Sequence, residues 1–132
     1  RRESFRSSPI PRMRATYMES GNANPEDIIA SVEKGVYVDE FSNGQVKIGE
    51  GDFTFFVKSG YLIENGKLTM PVKDINVIGN GPQALKDIIA VGNDCKLDDS
   101  AWTCGKGQSV PVCCGMPTVL VNNLTVGGEE NA

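Results

Sequence analysis

The chain has 132 residues, enough for one domain with a hydrophobic core, and it contains no apolar run long enough to span a bilayer. Its formal net charge of −4 disfavours a dedicated nucleic-acid binder. It has no histidine, which argues against a complete hydrolase, because imidazole serves both proton transfer near neutral pH and zinc binding.

The N-terminal residues form a basic, extended arm in this interpretation. Prolines within the first eleven residues forbid a helix, and Met13–Met18 alternates polar with apolar residues as a strand does. The arm is expected to be solvated or to contact other protein, with phosphate binding as the less favoured alternative. The chain does not begin with methionine, so we expect it to be a piece of a longer or processed protein. The basic residues of the arm are Arg1, Arg2, Arg6, Arg12 and Arg14.

Two helices are predicted. Asn24-Pro25-Glu26-Asp27 is typical of a helix start, with an N-cap residue, a proline in the first turn and acids at the positive end of the helix dipole. The first helix is therefore predicted over Pro25–Lys34, with Gly35 as its stop. The second is predicted over Pro82–Val91, where Gly92 ends an apolar stripe.

From Val36 the hydrophobic period changes to two, which predicts strands. Asn65-Gly66 is a strong signal for a type I′ hairpin turn, and Ser42-Asn43-Gly44 is predicted to be a loop. Asn122-Asn123 is predicted as a bulge in the last strand. The predicted strands are Gly35–Val38, Gln45–Ile48, Asp52–Lys58, Tyr61–Glu64, Lys67–Met70, Val72–Ile78, Ser109–Cys113 and Thr118–Val126.

The remaining segments are predicted to be irregular, with a loop over Asp94–Asp99 and a frayed tail over Gly127–Ala132. The whole pattern predicts an α+β domain, dominated by antiparallel strands with about two helices packed on them.

The most chemically informative stretch is the Gly-rich segment Ala101–Pro111, predicted to be a loop that carries Cys104 and Lys106. A thiolate is both a nucleophile and a metal ligand, and a nearby ammonium lowers the thiol pKa. The residues alone leave two interpretations open: a functional site, or a Gly-rich turn with a half-buried thiol. Lys106 either favours the thiolate or faces solvent.

The four cysteines do not form a zinc-binding pattern by themselves. No C-x-x-C pair is present, and adjacent Cys113 and Cys114 would point to opposite faces of a strand. We therefore expect reduced thiols in a cytoplasmic protein, with Cys95, Cys113 and Cys114 as core residues.

Arg12 and Tyr17, in the extended arm, and Lys106, beside Cys104, are weaker candidates for substrate binding. Arg12 would meet a peptide carboxylate and Tyr17 would supply a hydroxyl if this segment lined a cleft. The alternative is that Arg12 pairs with an acid and Tyr17 fills the core.

Several short blocks, in this order along nearly the whole chain, resemble the C-terminal domain of the TldD/PmbA family, whose older label is modulator of DNA gyrase. The blocks are Arg1–Ser4, Pro9–Met13, Tyr61–Lys67, Pro71–Lys73, Val91–Asp94, Cys104–Lys106 and Leu124–Gly128.

The resemblance implies that residues 1–132 are the C-terminal domain of a longer TldD-type zinc metallopeptidase. Two histidine ligands and a catalytic Glu would come from an absent upstream part, and Cys104 matches the cysteine that serves as third protein ligand. Zinc accepts a thiolate in place of a third histidine. PmbA-type (TldE) subunits lack the metal ligands, so Cys104 favours the TldD type.

The same resemblance implies further properties of the whole protein. Its substrates would be peptides or unfolded proteins, and it would form a homo-oligomer or a heterodimer with a PmbA/TldE-type subunit. This fragment alone would be inactive, since it holds one ligand and no catalytic residue. The alternative function is a non-enzymatic interaction module, of the modulator of DNA gyrase type, in which Cys104 is structural.

Overall fold

The computed structural model describes residues 1–98 and 102–128, and it confirms the predicted α+β class. No helix in these two ranges is long and apolar enough to cross a membrane. The elements are β1 (Ala15–Tyr17), α1 (Pro25–Ala30), β2 (Lys34–Val46), β3 (Asp52–Glu64), β4 (Lys67–Val72), β5 (Ile75–Asn80), α2 (Gly81–Lys86), β6 (Ile88–Val91), β7 (Lys96–Leu97), β8 (Trp102–Gly105), β9 (Ser109–Met116), β10 (Val119–Val121) and β11 (Thr125–Gly127).

The largest sheet is built around β3, which has 13 residues. One edge of β3 pairs with β2, while the other edge pairs with β5 over its first half and with β4 over its second half. Phe55 lies between Phe41 and Phe53, with ring centroids 5.5 and 5.6 Å apart. Val57 and Val77, on the same face, are among the most buried side chains.

Two smaller sheets complete the fold. β6 pairs with β10 in antiparallel fashion, and β9 pairs in parallel with β1 and antiparallel with β7 and β8. β7 and β8 therefore follow the same edge of β9, one beside each half of that strand. This sheet carries Cys104.

The predicted hairpin turn is confirmed. Asn65 and Gly66 have φ values of +50° and +75°, as a type I′ turn requires. Their backbone N–H groups donate to the carbonyls of Glu33 and Val32, at 2.7 and 2.8 Å, so the turn packs against the chain that leaves α1.

Both helices are shorter than predicted. α1 ends at Ala30 with Ser31 as its C-cap, so the predicted end at Lys34 and the stop at Gly35 are wrong. The carbonyls of residues 32 and 33 are used by the hairpin turn instead. α2 ends at Lys86, and the predicted helical residues Ile88 and Ile89 lie in β6. This strand pairs with β10 through Ile88, Ala90 and Val91.

Several predicted strand boundaries are also wrong. Ser42-Asn43-Gly44 lies within β2, where irregular register between Val38 and Asn43 replaces the predicted loop. Asp52–Lys58 and Tyr61–Glu64 belong to one continuous β3.

The last part of the chain differs in the same way. Asn122-Asn123 is not a bulge within one strand, as predicted, but part of the connection between β10 and β11. These two strands belong to different sheets. The predicted Asp94–Asp99 loop contains β7, while Asp99 and the end of the predicted tail lie outside the described residues.

Gly66→Ala should destabilise the protein more than Gly107→Ala. Both positions have positive φ, +75° and +69°, so each alanine should cost about 1–2 kcal/mol of backbone strain. A Cβ at Gly66 would also lie 2.5 Å from the Ala30 carbonyl oxygen, whereas a Cβ at Gly107 meets nothing within 4 Å. Midpoints of urea unfolding measure the difference, and equal midpoints would contradict the predicted packing of the turn.

Asp94→Asn should lower stability at neutral pH, and by a smaller amount in acid. The Asp94 carboxylate accepts hydrogen bonds from the Thr118 N–H and hydroxyl at 2.9 and 2.8 Å, and the Thr118 N–H is the main reason that the Asp94 pKa lies below its ordinary value of 3.8. A lowered carboxyl pKa contributes stability above the unfolded value, and this contribution is lost as pH falls through the folded value.

Urea unfolding at neutral pH and near pH 3 checks this prediction. The deficit of the variant should shrink at the lower pH. Asp74→Asn is the control, because that carboxylate makes an exposed 3.8 Å ion pair with Lys73. A deficit of Asp94→Asn that is independent of pH would contradict the assignment.

Candidate functional site

Cys104 lies in a hairpin strand, not in the loop that the sequence predicts. β8 pairs with β9 so that Cys104 is opposite Val110, and Lys106, Gly107 and Gln108 form the turn. Gly107 has a φ of +69°, which explains a glycine at this position. We call β8, this turn and β9 the Cys104 hairpin. Ala101, the first residue of the predicted segment, lies outside the described residues.

The N-terminal arm, residues 1–14, packs against the Cys104 hairpin. The Arg1 guanidinium donates to the Pro111 carbonyl at 3.1 Å. Gln108 makes two side-chain bonds, accepting from the Glu3 N–H at 3.1 Å and donating to the Ser8 carbonyl at 2.8 Å. Part of the arm therefore contacts its own chain, whereas the sequence suggested solvent or other protein.

Arg12 makes the most extensive of these contacts. Its Nη2 donates to the carbonyls of Cys104 and of Gln108, the latter at 2.6 Å. The side chain is half-buried, and its Nε and Nη1 are buried without a well-oriented hydrogen-bond partner. Arg12 therefore connects the arm to both sides of the hairpin turn.

Cys104 is 9% exposed as a whole residue, and its thiol lies in an environment that favours the ionised form. The Met13 backbone N–H makes the largest contribution to lowering the Cys104 pKa. Hydrogen bonding by Arg12 and the charges of Arg12 and Lys106 act in the same direction, and burial opposes them. Cys104 is therefore suited to act as a thiolate, that is, as a nucleophile or a metal ligand.

The structure brings Lys106 to Cys104 but leaves Tyr17 elsewhere on the sheet. The Lys106 ammonium donates to the Pro11 carbonyl at 3.2 Å while its side chain remains exposed, so it both faces solvent and favours the thiolate. Tyr17 is 56% exposed and lies opposite Gly115 of β9, about 17 Å along that strand from Val110 at 3.3 Å per residue. Its role as a hydroxyl donor stays a prediction.

Two contributors to the site were missed in the sequence. The Met13 N–H is a backbone group, so the identity of the residue gives no sign that this N–H contributes to the site. Gln108 lies two residues after the Cys104–Lys106 block, and its contacts to Glu3 and Ser8 depend on a packing arrangement that local sequence does not encode.

The other cysteines have ordinary structural surroundings. The Cys95 thiol donates to the Met18 carbonyl at 3.0 Å, and Cys113 and Cys114 are half-buried in β9. Burial raises the pKa of Cys114, with a smaller effect of its neighbours Cys113 and Asp98. All four cysteines are unpaired.

The donor chemistry at Cys104 fits a zinc ion as one ligand of a shared site. Zinc binds thiolates well, and a buried thiol with a lowered pKa is such a donor. Within residues 1–98 and 102–128, no three His, Cys, Asp or Glu side chains are grouped closely enough to hold a metal ion. The described residues therefore offer a single thiolate, and a complete site would need ligands from elsewhere.

Comparison with known sequences gives consistent results. The sequence profile of the PmbA/TldA metallopeptidase C-terminal domain matches residues 1–128. A metalloprotease TldD homolog of Buchnera aphidicola (subsp. Acyrthosiphon pisum) is 46% identical over 97% of this chain and 27% of that protein. A zinc metalloprotease TldD homolog of Saccharolobus solfataricus is 33% identical over 97% of this chain and 28% of that protein. The chain thus spans about a quarter of the length of these curated relatives.

Solved structures share the fold. A Bacteroides thetaiotaomicron protein named for modulation of DNA gyrase has a TM-score of 0.67 and 34% identity, over 86% of this chain and 23% of that one. TldE of Thermococcus kodakarensis has a TM-score of 0.68 over 85% of this chain and 23% of that one. Its 19% identity supports a common fold alone.

Alkylation should detect the lowered pKa of Cys104. We expect its reaction with iodoacetamide to rise at lower pH than that of Cys114, because thiolate is the reactive form and the two pKa values are shifted in opposite directions.

Arg12→Met should move the pH midpoint of Cys104 alkylation upward, since it removes a hydrogen bond and a positive charge that favour the thiolate. Mass spectrometry of peptides alkylated across a pH series gives both midpoints, and an unchanged midpoint in the variant would contradict this account.

Proposed function

Because this chain belongs to the PmbA/TldA metallopeptidase family, we propose that it is the C-terminal domain of a longer TldD-type zinc peptidase. In this proposal Cys104 supplies one protein ligand to the zinc ion, and two histidines and a catalytic Glu come from the upstream part. The observation that carries the proposal is the Cys104 thiol, which is buried, has a lowered pKa and lies in the Cys104–Lys106 block. The name of the Saccharolobus solfataricus relative supports zinc within the family.

The chain's own residues prepare the thiolate. The Met13 N–H and the Arg12 guanidinium favour the negative charge at Sγ, so losing the proton when a metal binds costs less free energy than it would for an ordinary thiol. A bound zinc ion would supply Lewis acidity and an activated water for attack on a peptide carbonyl.

The edge of β8 offers a way to bind an extended substrate. β8 pairs with β9 along one edge, and among the described residues no strand pairs with its other edge. A peptide or an unfolded segment would add there as a further strand, bonded through main-chain groups next to Cys104. Such binding depends weakly on side chains, which suits a peptidase acting on unfolded chains.

The assembly remains part of the proposal. We expect either a homo-oligomer of TldD-type chains or a heterodimer with a PmbA/TldE-type subunit, and the shared fold with TldE supports similar domains in both kinds of subunit. A cytoplasmic location is proposed with it, on the basis of the unpaired cysteines.

A second candidate function is an interaction module without catalysis. The name of the Bacteroides thetaiotaomicron structure, a modulator of DNA gyrase, is the observation that favours it. Cys104 would then be structural, and a stoichiometric complex with a partner would persist in the presence of chelators.

Cys104→Ser in the full-length parent protein is the deciding change. We expect loss of both zinc and peptidase activity, because replacing a ligand should weaken zinc binding by more than the roughly 10–100-fold seen for outer partners of ligands. Elemental analysis and a peptide-hydrolysis assay measure the two effects.

Cys114→Ser is the matched control for this change. It removes a half-buried thiol of the same sheet whose pKa is raised, and it should keep both zinc and activity. Normal zinc content and activity in Cys104→Ser would reject the ligand assignment and favour the interaction module.

A further inference from the structure

Arg12, in the N-terminal arm, makes hydrogen bonds to the backbone on both sides of the turn that follows Cys104. One nitrogen, Nη2, donates to the carbonyl of Cys104, before the turn, and to the carbonyl of Gln108, at its end. The residues joined in this way are 92 and 96 positions apart in sequence. The planar guanidinium fixes the direction of its donors, which an ammonium on a flexible stem does not.

The surroundings of Arg12 are unusual for a residue that serves stability alone. Nε and Nη1 are buried without a well-oriented partner, and such donors cost free energy when they are withdrawn from water. Burying a guanidinium therefore requires a compensating role, and the ionisable group beside it is the Cys104 thiol. Hydrophobic residues of similar size commonly stabilise such positions as well as a buried charge does.

The hydrogen bond from Arg12 to the Cys104 carbonyl also restricts the position of the Cys104 side chain. The Cys104 carbonyl carbon is bonded to the same Cα as the side chain, so fixing the peptide plane fixes the direction in which Cβ leaves the strand. Sγ is then limited to the few rotamers that rotation about the Cα–Cβ bond allows. Metal sites tolerate ligand distances within about 0.2 Å of ideal values. Loss of the two Arg12 contacts removes a constraint on where the strand presents the sulfur.

We propose that Arg12 is a positioning residue that orients Cys104 toward the metal by fixing the Cys104 hairpin through its two carbonyls. This inference rests on the proposed zinc-ligand role of Cys104. The sequence-based prediction that Arg12 meets a peptide carboxylate assigns a different role to the same side chain, and the two roles have different experimental signatures.

Lys106 provides a matched control. It also brings a positive charge to Cys104, but its ammonium donates to the Pro11 carbonyl of the arm, and its effect on the Cys104 thiol comes from its charge alone. Lys106→Met therefore removes a neighbouring charge and leaves the hold on the Cys104 carbonyl. Arg12→Met removes both, and Arg12→Lys keeps the charge but loses the planar donor.

The experiment uses the full-length parent protein with cobalt(II) in place of zinc. A thiolate ligand gives a sulfur-to-cobalt charge-transfer absorption, whereas the weaker d–d bands report that cobalt is bound at all. In Arg12→Met and Arg12→Lys we expect the charge-transfer absorption per bound cobalt to fall to less than half and cobalt affinity to drop about 10–100-fold. Lys106→Met should keep the wild-type absorption.

Each other outcome overturns the inference. Charge-transfer absorption of wild-type strength in both Arg12 variants would reject a positioning role, and with a raised KM it would favour carboxylate binding. An equal loss in Lys106→Met would make charge, not position, the cause. Absence of the absorption in the wild-type protein would reject the ligand role of Cys104 itself, so failure of the proposed function is recognised separately. Arg12→Lys retains a charged side chain and keeps the test decisive if Arg12→Met does not fold.

Discussion

Hydrogen bonds between the N-terminal arm and the Cys104 hairpin hold the candidate site together. They join Arg1, Glu3 and Arg12 to residues about a hundred positions later, and most of them use a backbone carbonyl or N–H on one side. Bonds of this kind fix main-chain geometry regardless of the side chain that is attached. The candidate site therefore consists of two segments distant in sequence, the N-terminal arm and the Cys104 hairpin, whose backbones are hydrogen-bonded to each other next to the Cys104 thiol.

These contacts bring together family blocks that lie far apart in the sequence. The Arg1–Ser4 and Pro9–Met13 blocks pack against the segment that begins with Cys104, although they are far apart in sequence. The Met13 N–H and the Arg12 guanidinium approach the thiol from the arm, while Lys106 approaches it from the turn. An acidified thiol therefore requires both segments.

Much of the chain's apolar surface is open to contact with other protein. The accessible surface is 9391 Å², whereas a compact monomer of 14.2 kDa exposes about 6,800 Å². Large apolar side chains such as Met70 and Leu85 are 63% and 65% exposed. An accessible surface above that of a compact monomer, together with exposed large apolar side chains, suits a domain that packs against further protein. That agrees with relatives about four times as long as this chain.

Local sequence determined those features that depend on near neighbours. The Asn65-Gly66 turn follows from the positive φ values that these two residues tolerate, and the start of α1 follows from Asn24, whose side chain accepts from the Glu26 N–H at 2.9 Å. The residue types of the Cys104 segment indicated a candidate site, and the family resemblance implied the zinc-ligand role of Cys104. Tertiary structure decided where α1 and α2 end, because the hairpin turn uses the carbonyls that follow α1 and β10 pairs with residues predicted to be helical. It also decided the surroundings of Cys104, since a thiol pKa depends on charges and donors in space, and here the main donor comes from Met13, 91 positions away.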